Sequence, residues 1–66
     1  MYYVTDLEQR AILTYRDGAR ITYVNEDLAR QDAARGEQVT NRPHAVVPVA
    51  YVANDSLQRL VAPWLV

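Results

Sequence analysis

The chain contains no cysteine, no lysine and no phenylalanine, and it has only one histidine and one tryptophan in 66 residues. Without cysteine it cannot form a disulfide, a zinc site built on thiolates or a thiol nucleophile. The absence of lysine excludes Schiff-base chemistry and the phosphate-binding lysine of a P-loop. The composition therefore excludes several common catalytic and cofactor-binding arrangements.

Long apolar runs are also missing. The longest one, Ala45 to Ala53, is far shorter than the ~20 residues that a membrane-spanning helix needs. The first ten residues carry charges at Asp6, Glu8 and Arg10 and include no apolar stretch of signal-peptide length. We therefore expect a cytoplasmic protein with no membrane segment.

Charge and size set further limits. Seven basic and eight acidic residues give a net charge of -1, which disfavours a protein that mainly binds the phosphates of nucleic acids. Half of the residues are hydrophobic and 23% are charged, as in compact folded proteins. A chain of this length holds one small core, so residues 1–66 are predicted to form a single domain.

Three segments have the composition of β-strands. Residues near 2 to 7 and 11 to 15 are rich in tyrosine, valine and threonine and flank the polar break Glu8-Gln9-Arg10, which predicts an antiparallel hairpin. Residues 45 to 52 are apolar on both faces and are predicted to form the third strand. Pro48 cannot donate a hydrogen bond to a neighbouring strand, and this places the third strand at an edge or a bulge.

The middle of the chain allows two interpretations. Asp17-Gly18 is a strong hairpin signal, and the residues from Ala19 to Val24 suit a strand. The competing interpretation is a long amphipathic helix from about Asp17 to Arg35, with Asp17 as its N-cap and Gly36 as its C-terminal cap. Both agree on helix from Glu26 onward, and we predict the long helix.

The C-terminal segment has helical spacing. Leu57, Leu60, Val61 and Trp64 recur at the intervals of one helix face. This predicts a short helix from Ser56 to about Ala62, followed by a packed tail.

These elements together predict an α+β fold in the order β-β-α-β-α. It has a small three-stranded antiparallel sheet, one long helix across a face, and a short C-terminal helix at one end. The predicted core residues are Val4, Ile12, Leu13, Ile21, Val24, Leu28, Val47, Val49, Leu57, Leu60, Val61 and Trp64.

No catalytic or metal site is predicted. His44 and Ser56 are the only histidine and serine, and capping of the predicted helix accounts for Ser56 and for Asp55 before it. The acidic residues are scattered without ligand spacing. We therefore expect a protein that is not an enzyme and has no metal and no cofactor.

A partner-binding surface is predicted on the polar side of the long helix. There Glu26, Asp27 and Arg30 would surround Tyr23, and Glu37 would continue the acidic edge. Exposed tyrosine among charged residues is typical of interface hot spots. The carboxylates would steer this surface toward a basic region of a partner.

The order of segments carries a resemblance. A hairpin is followed by Arg-Asp-Gly-Ala-Arg-Ile-Thr-Tyr-Val-Asn (Arg16 to Asn25), which leads into a helix, and then by the strand Ala45 to Val52. This order resembles small β-β-α-β proteins of bacteriophages and mobile elements, some of which are anti-CRISPR proteins. The resemblance implies an inhibitor that binds a host protein complex, such as a CRISPR surveillance complex, in the bacterial cytoplasm. The net charge of -1 argues against mimicry of DNA.

A second function class is a small nucleic-acid-binding regulator. It would use Arg16, Arg20 and Arg42 together with the tyrosines as a phosphate-binding and stacking surface. Binding to phosphates weakens steeply as salt rises, whereas a protein interface centred on Tyr23 would depend on salt much less.

Overall fold

The computed structural model describes residues 1–52 and 58–61. The elements in chain order are β1 (Tyr2–Asp6), β2 (Ala11–Thr14), α1 (Glu26–Thr40), β3 (His44–Pro48), a short 3₁₀ helix (Val49–Tyr51) and β4 (Gln58–Val61). The strands form one sheet in the order β3-β1-β2-β4, and α1 packs on β1 and β3. The predicted α+β fold is confirmed, including the antiparallel pairing of β1 with β2 and β3.

The side chain of Asp6, the last residue of β1, closes the β1–β2 hairpin. Asp6 Oδ1 accepts hydrogen bonds from the backbone N–H groups of Glu8 at 3.0 Å and Gln9 at 2.9 Å. Arg10 then adopts a left-handed conformation with φ of 55° before β2 begins. An aspartate that bonds to the backbone two or three residues later stabilises a turn, so this loop is specified locally.

The long helix predicted from Asp17 is wrong, because the turn signal at Asp17-Gly18 prevails. Gly18 has φ of 90°, which a glycine adopts without steric cost. Asp17 Oδ1 accepts the N–H of Ala19 at 2.9 Å, and the N–H of Tyr15 donates to the Ala19 carbonyl at 2.8 Å. The chain therefore reverses here, and helix begins only at Glu26.

The residues after this turn are extended, as the alternative interpretation had it. They lie between β1 and β2, which pair with each other only near the hairpin loop. Arg20 forms an antiparallel bridge with Thr14 of β2, and Tyr23 forms one with Tyr2 of β1. On its opposite side, Tyr2 is paired with Pro48 of β3, and Thr14 is paired with β4. Residues 20–23 therefore occupy the gap where β1 and β2 separate.

Helix α1 is delimited by two asparagines. Asn25 accepts the N–H of Leu28 at 2.9 Å as the N-cap, and Asn41 ends the helix in a left-handed conformation with φ of 57°. The predicted C-terminal cap at Gly36 is wrong. Gly36 is buried inside α1 instead, and its missing side chain allows a close approach of the helix to the residues beneath it.

The core is small and partly built from alanine. Val4, Leu13, Ile21, Ala29 and Ala33 form one buried cluster. Of the predicted core, Val4, Ile12, Leu13 and Ile21 are buried, and Val47 and Val49 are half-buried.

Two predicted core residues are wrong. Val24 is 78% exposed and Leu28 is 49% exposed. The reason is the later start of α1. With Glu26 as its first residue, the helix turns Ala29, Ala33 and Gly36 toward the sheet and leaves Leu28 on a flank.

The prediction of a short C-terminal helix is wrong for residues 58–61, because these residues form β4. This strand pairs in parallel with β2, from Ala11 beside Gln58 to Thr14 beside Val61. The pairing satisfies the second edge of β2, whose backbone groups would otherwise lack strand partners. Residues 53–57 and 62–66, with Leu57 and Trp64, lie outside the described residues.

Strand β3 lies at the edge of the sheet, where Pro48 was predicted to place it. The N–H of Leu7 donates to the Pro43 carbonyl, and the N–H of Val49 donates to the Met1 carbonyl. Since bonded and non-bonded pairs alternate in an antiparallel ladder, Ala45 and Val47 bond to β1. The backbone groups of His44, Val46 and Pro48 then point away from the sheet.

Candidate functional site

An open groove of about 310 Å³ runs along one flank of α1. The turn and the extended segment contribute Tyr15, Ile21, Thr22 and Tyr23 to it. The helix contributes Leu28, Gln31, Asp32 and Arg35. We call this the tyrosine groove.

A side-chain hydrogen bond joins the two sides of the tyrosine groove. The hydroxyl of Tyr23 donates to the carboxylate of Asp32, and Asp32 is only 8% exposed. Burial raises the pKa of Tyr23 far above its ordinary value of 10.0, and the hydrogen bond and negative charge of Asp32 add to this rise. Arg35 acts in the opposite direction and is outweighed. The phenol is therefore neutral at physiological pH and remains a hydrogen-bond donor.

Apolar side chains beside this pair are exposed. Tyr15 is 52% exposed and Leu28 is 49% exposed, and both line the groove. Val24, immediately before α1, is exposed as well. Aromatic and apolar side chains next to an arginine have the composition of protein–protein contact surfaces.

The structure does not bring the predicted site residues together. Tyr23 precedes the helix instead of lying on it, so Glu26, Asp27 and Arg30 do not surround it. Glu26, Arg30 and Glu37 line a different groove on the other flank of α1. Asp27 is exposed and lines neither groove.

This second groove, which we call the glutamate groove, has a volume of about 340 Å³. It lies between α1 and β3 and is also lined by Ala33, Ala34, His44 and Val46. Glu26 and Arg30, one helical turn apart, form an ion pair at 3.2 Å. Both side chains are well exposed, so the pair contributes only about 0.3–0.5 kcal/mol.

A buried polar cluster lies at the start of β3. Asp6 is fully buried, and its Oδ2 accepts a hydrogen bond from Arg42 Nε at 2.7 Å. His44 Nδ1 lies 2.9 Å from the Arg42 carbonyl, which can only accept, so Nδ1 carries the hydrogen. His44 Nε2 lies 3.9 Å from Asp6 Oδ2.

The charge of Asp6 is stabilised by this cluster. Burial alone would raise the pKa of Asp6. The hydrogen bonds from Gln9 and Arg42 and the nearby Arg42 and His44 outweigh burial and hold the pKa below 3.8. The cluster thus fixes the hairpin loop to the start of β3, and its geometry is that of a structural tie.

The arginines considered for nucleic-acid binding do not form a common surface. Arg42 is bound to Asp6, and the Arg20 guanidinium lies over the ring of Tyr3, 5.5 Å from its centroid. Arg16 is exposed next to Tyr15. Two of the three are therefore engaged within the protein, which counts against a phosphate-binding role for this set.

Sequence reasoning missed Asp32 as the partner of Tyr23. The signals that would have found it were present, since Asp17-Gly18 is a turn motif and Asn25 is a preferred N-cap residue. Together they place Tyr23 beside the helix, where a residue of the second turn can meet it.

Among the described residues, no cluster of three or more histidine, aspartate or glutamate side chains could hold a metal ion. Within residues 1–52 and 58–61, no helix has the length and apolar character needed to cross a membrane. Comparison with known proteins adds no family to this geometry. The chain matches no protein-family model, and searches of curated proteins and of solved structures find no significant match.

Proposed function

We propose that the protein is a non-enzymatic, protein-binding inhibitor that uses the tyrosine groove as its contact surface. The observation that carries the proposal is the exposure of Tyr15 and Leu28 beside Tyr23, whose hydroxyl is held by Asp32. Following the resemblance to small phage and mobile-element proteins, the target is a host protein complex in the bacterial cytoplasm, with a CRISPR surveillance complex as the first candidate.

The physical support lies in rigidity and composition. A tyrosine that is already held in one conformation loses little entropy when a partner covers it. About half of the surface of Leu28 and Tyr15 remains in water after folding. A partner that covers these side chains would bury this apolar area, which favours binding. The groove is therefore better suited to contact than to chemistry.

An interference assay tests the proposal. A bacterium with an active CRISPR–Cas system expresses the protein and is transformed with a plasmid that the system targets. We expect transformation to recover toward the level of an untargeted plasmid. Unchanged interference with a soluble, well-expressed protein, across the common CRISPR types, would remove this target class.

Matched variants then locate the surface. Leu28→Asp places a charge in the tyrosine groove, and Val39→Asp places the same charge on α1 at a residue outside the lining. Leu28 and Val39 have similar exposure, 49% and 54%. We expect only Leu28→Asp to abolish inhibition, with both variants folded by circular dichroism. An equal effect of the two would place the contact surface elsewhere.

A further inference from the structure

The charges that line the tyrosine groove differ in their availability to a partner. Asp32 is buried and its carboxylate already accepts the hydroxyl of Tyr23. Arg35 lines the groove and is exposed, and Arg16 is exposed beside Tyr15. Asp17, next to Arg16, uses one carboxylate oxygen for the N–H of Ala19.

The glutamates that were expected to steer a partner lie elsewhere. Glu26 and Glu37 line the glutamate groove on the opposite flank of α1. Glu26 is paired with Arg30, and Glu37 accepts the backbone N–H of His44. Of the two charged residues that line the tyrosine groove, Asp32 is buried and Arg35 is exposed, so the charge that a partner meets there is positive.

We infer that the partner enters the tyrosine groove with an extended peptide segment that carries an apolar anchor side chain and an adjacent carboxylate. The inference rests on the proposed function, and it names the chemistry of the partner. Tyr15 and Leu28 contact the anchor, and the Arg35 guanidinium binds the carboxylate. A guanidinium forms paired, charge-assisted hydrogen bonds with a carboxylate, so it selects acidic over basic segments.

The size of the groove agrees with this occupant. About 310 Å³ is at the lower end of ligand-site volumes and accommodates one large side chain with its flanking backbone. Hot spots of this kind bind one aromatic or aliphatic anchor, and polar contacts at their rim set orientation.

Selection from a random peptide library displayed on phage tests the inference without any host complex. The immobilised protein is the bait, and we expect enrichment of peptides with an aspartate or glutamate within a few residues of an aromatic or large aliphatic residue. Enrichment of basic peptides, or of none, would overturn the inference.

Charge reversal provides the decisive comparison. A fluorescent copy of the enriched peptide is titrated against the wild type, Arg35→Glu and the matched control Arg30→Glu, in which the altered residue lines the other groove. We expect Arg35→Glu to weaken binding about tenfold or more and Arg30→Glu to leave it nearly unchanged. Equal weakening by both would contradict the assignment of the groove.

A reciprocal swap guards against a folding artefact. A peptide whose acidic residue is replaced by lysine is expected to bind Arg35→Glu better than it binds the wild type. Loss of binding to both peptides by a folded Arg35→Glu protein would contradict a direct contact. Peptide binding together with a negative interference assay would keep this inference and reject the CRISPR target, so the two proposals fail separately.

Discussion

The hydroxyl of Tyr23 donates a hydrogen bond to the carboxylate of Asp32 and so joins the extended segment before α1 to the second turn of that helix. The backbone of Tyr23 is fixed as well, since it exchanges two hydrogen bonds of 2.9 Å with Tyr2 of β1. One residue thus connects the sheet, the segment and the helix. The wall of the tyrosine groove is held in place by these contacts.

Removal of the Tyr23 hydroxyl should destabilise the protein without changing its fold. In Tyr23→Phe the buried Asp32 carboxylate loses a donor, which costs about 1–3 kcal/mol of the free energy of unfolding. Urea denaturation followed by circular dichroism measures the change. The matched control is Tyr15→Phe, because Tyr15 is half-exposed, and it should have little effect. Equal stability of both variants would mean that the hydrogen bond contributes nothing net.

The raised pKa of Tyr23 predicts a distinctive alkaline titration. Tyr23 keeps its proton in the folded state at pH values where an unfolded tyrosine, with an ordinary pKa of 10.0, has begun to lose it. Its contribution to stability is therefore complete below pH 10 and is lost as the pH rises further. Ultraviolet absorbance should therefore show a late tyrosine ionisation that accompanies unfolding of the chain. Tyr23→Phe should lack this late transition, and its presence in that variant would assign it to another tyrosine.

The free energy of unfolding should depend on pH in the acid range because of Asp6. Because its folded pKa is depressed, the stabilisation is present above pH 3.8 and is lost as the pH falls below that value. In Asp6→Asn, Arg42 loses its carboxylate partner, so we expect a loss of about 1–3 kcal/mol near neutral pH and a smaller one in acid. Urea denaturation across this pH range measures both. Asp17→Asn is the control, since asparagine can accept the same backbone N–H in an exposed turn.

The outer edge of β3 should resist pairing with a second strand. Of its three outward residues, Pro48 has no N–H, and the N–H of His44 donates to Glu37 Oε2 at 3.0 Å. Of these three residues, only Val46 has a backbone N–H that is not bonded to Glu37. In the double variant Glu37→Ala and Pro48→Val, two donors become available in addition to the N–H of Val46, so we expect self-association at high protein concentration.

Analytical ultracentrifugation measures this association, with Gln38→Ala in place of Glu37→Ala as the control for the exposed helix surface. A double variant that stays monomeric at the highest soluble concentration would show that α1, and not the two blocked donors, protects the edge.

Local chemistry made much of the fold predictable. The hairpin follows from two tyrosine-rich and valine-rich segments around a polar break, and the edge position of β3 follows from Pro48. The helical interior from Glu26 to Arg35 was common to both interpretations of the middle segment. Each of these features depends on residues close together in sequence.

The remainder depends on contacts between distant segments. Residues 58–61 have a spacing that suits a helix in isolation, yet the open edge of β2 draws them into the sheet. Val24 and Leu28 were assigned to the core because the helix was predicted to begin too early. The predicted helix included Val24, and its buried face was drawn through Val24 and Leu28. The partnership of Tyr23 with Asp32 was missed for the same reason, since it exists only when Tyr23 precedes the helix.

The pairing of β4 with β2 has a consequence for how the protein is made. Ala11 lies beside Gln58, so the hairpin, the helix and β3 must all emerge from the ribosome before this edge of the sheet can be closed. Contacts of such long sequence separation slow folding, because a long loop must be closed before they form. During synthesis the nascent chain therefore presents β2 with one unpaired edge until Val61 has been released. In the sheet of four strands, β4 is therefore the last strand that can be added.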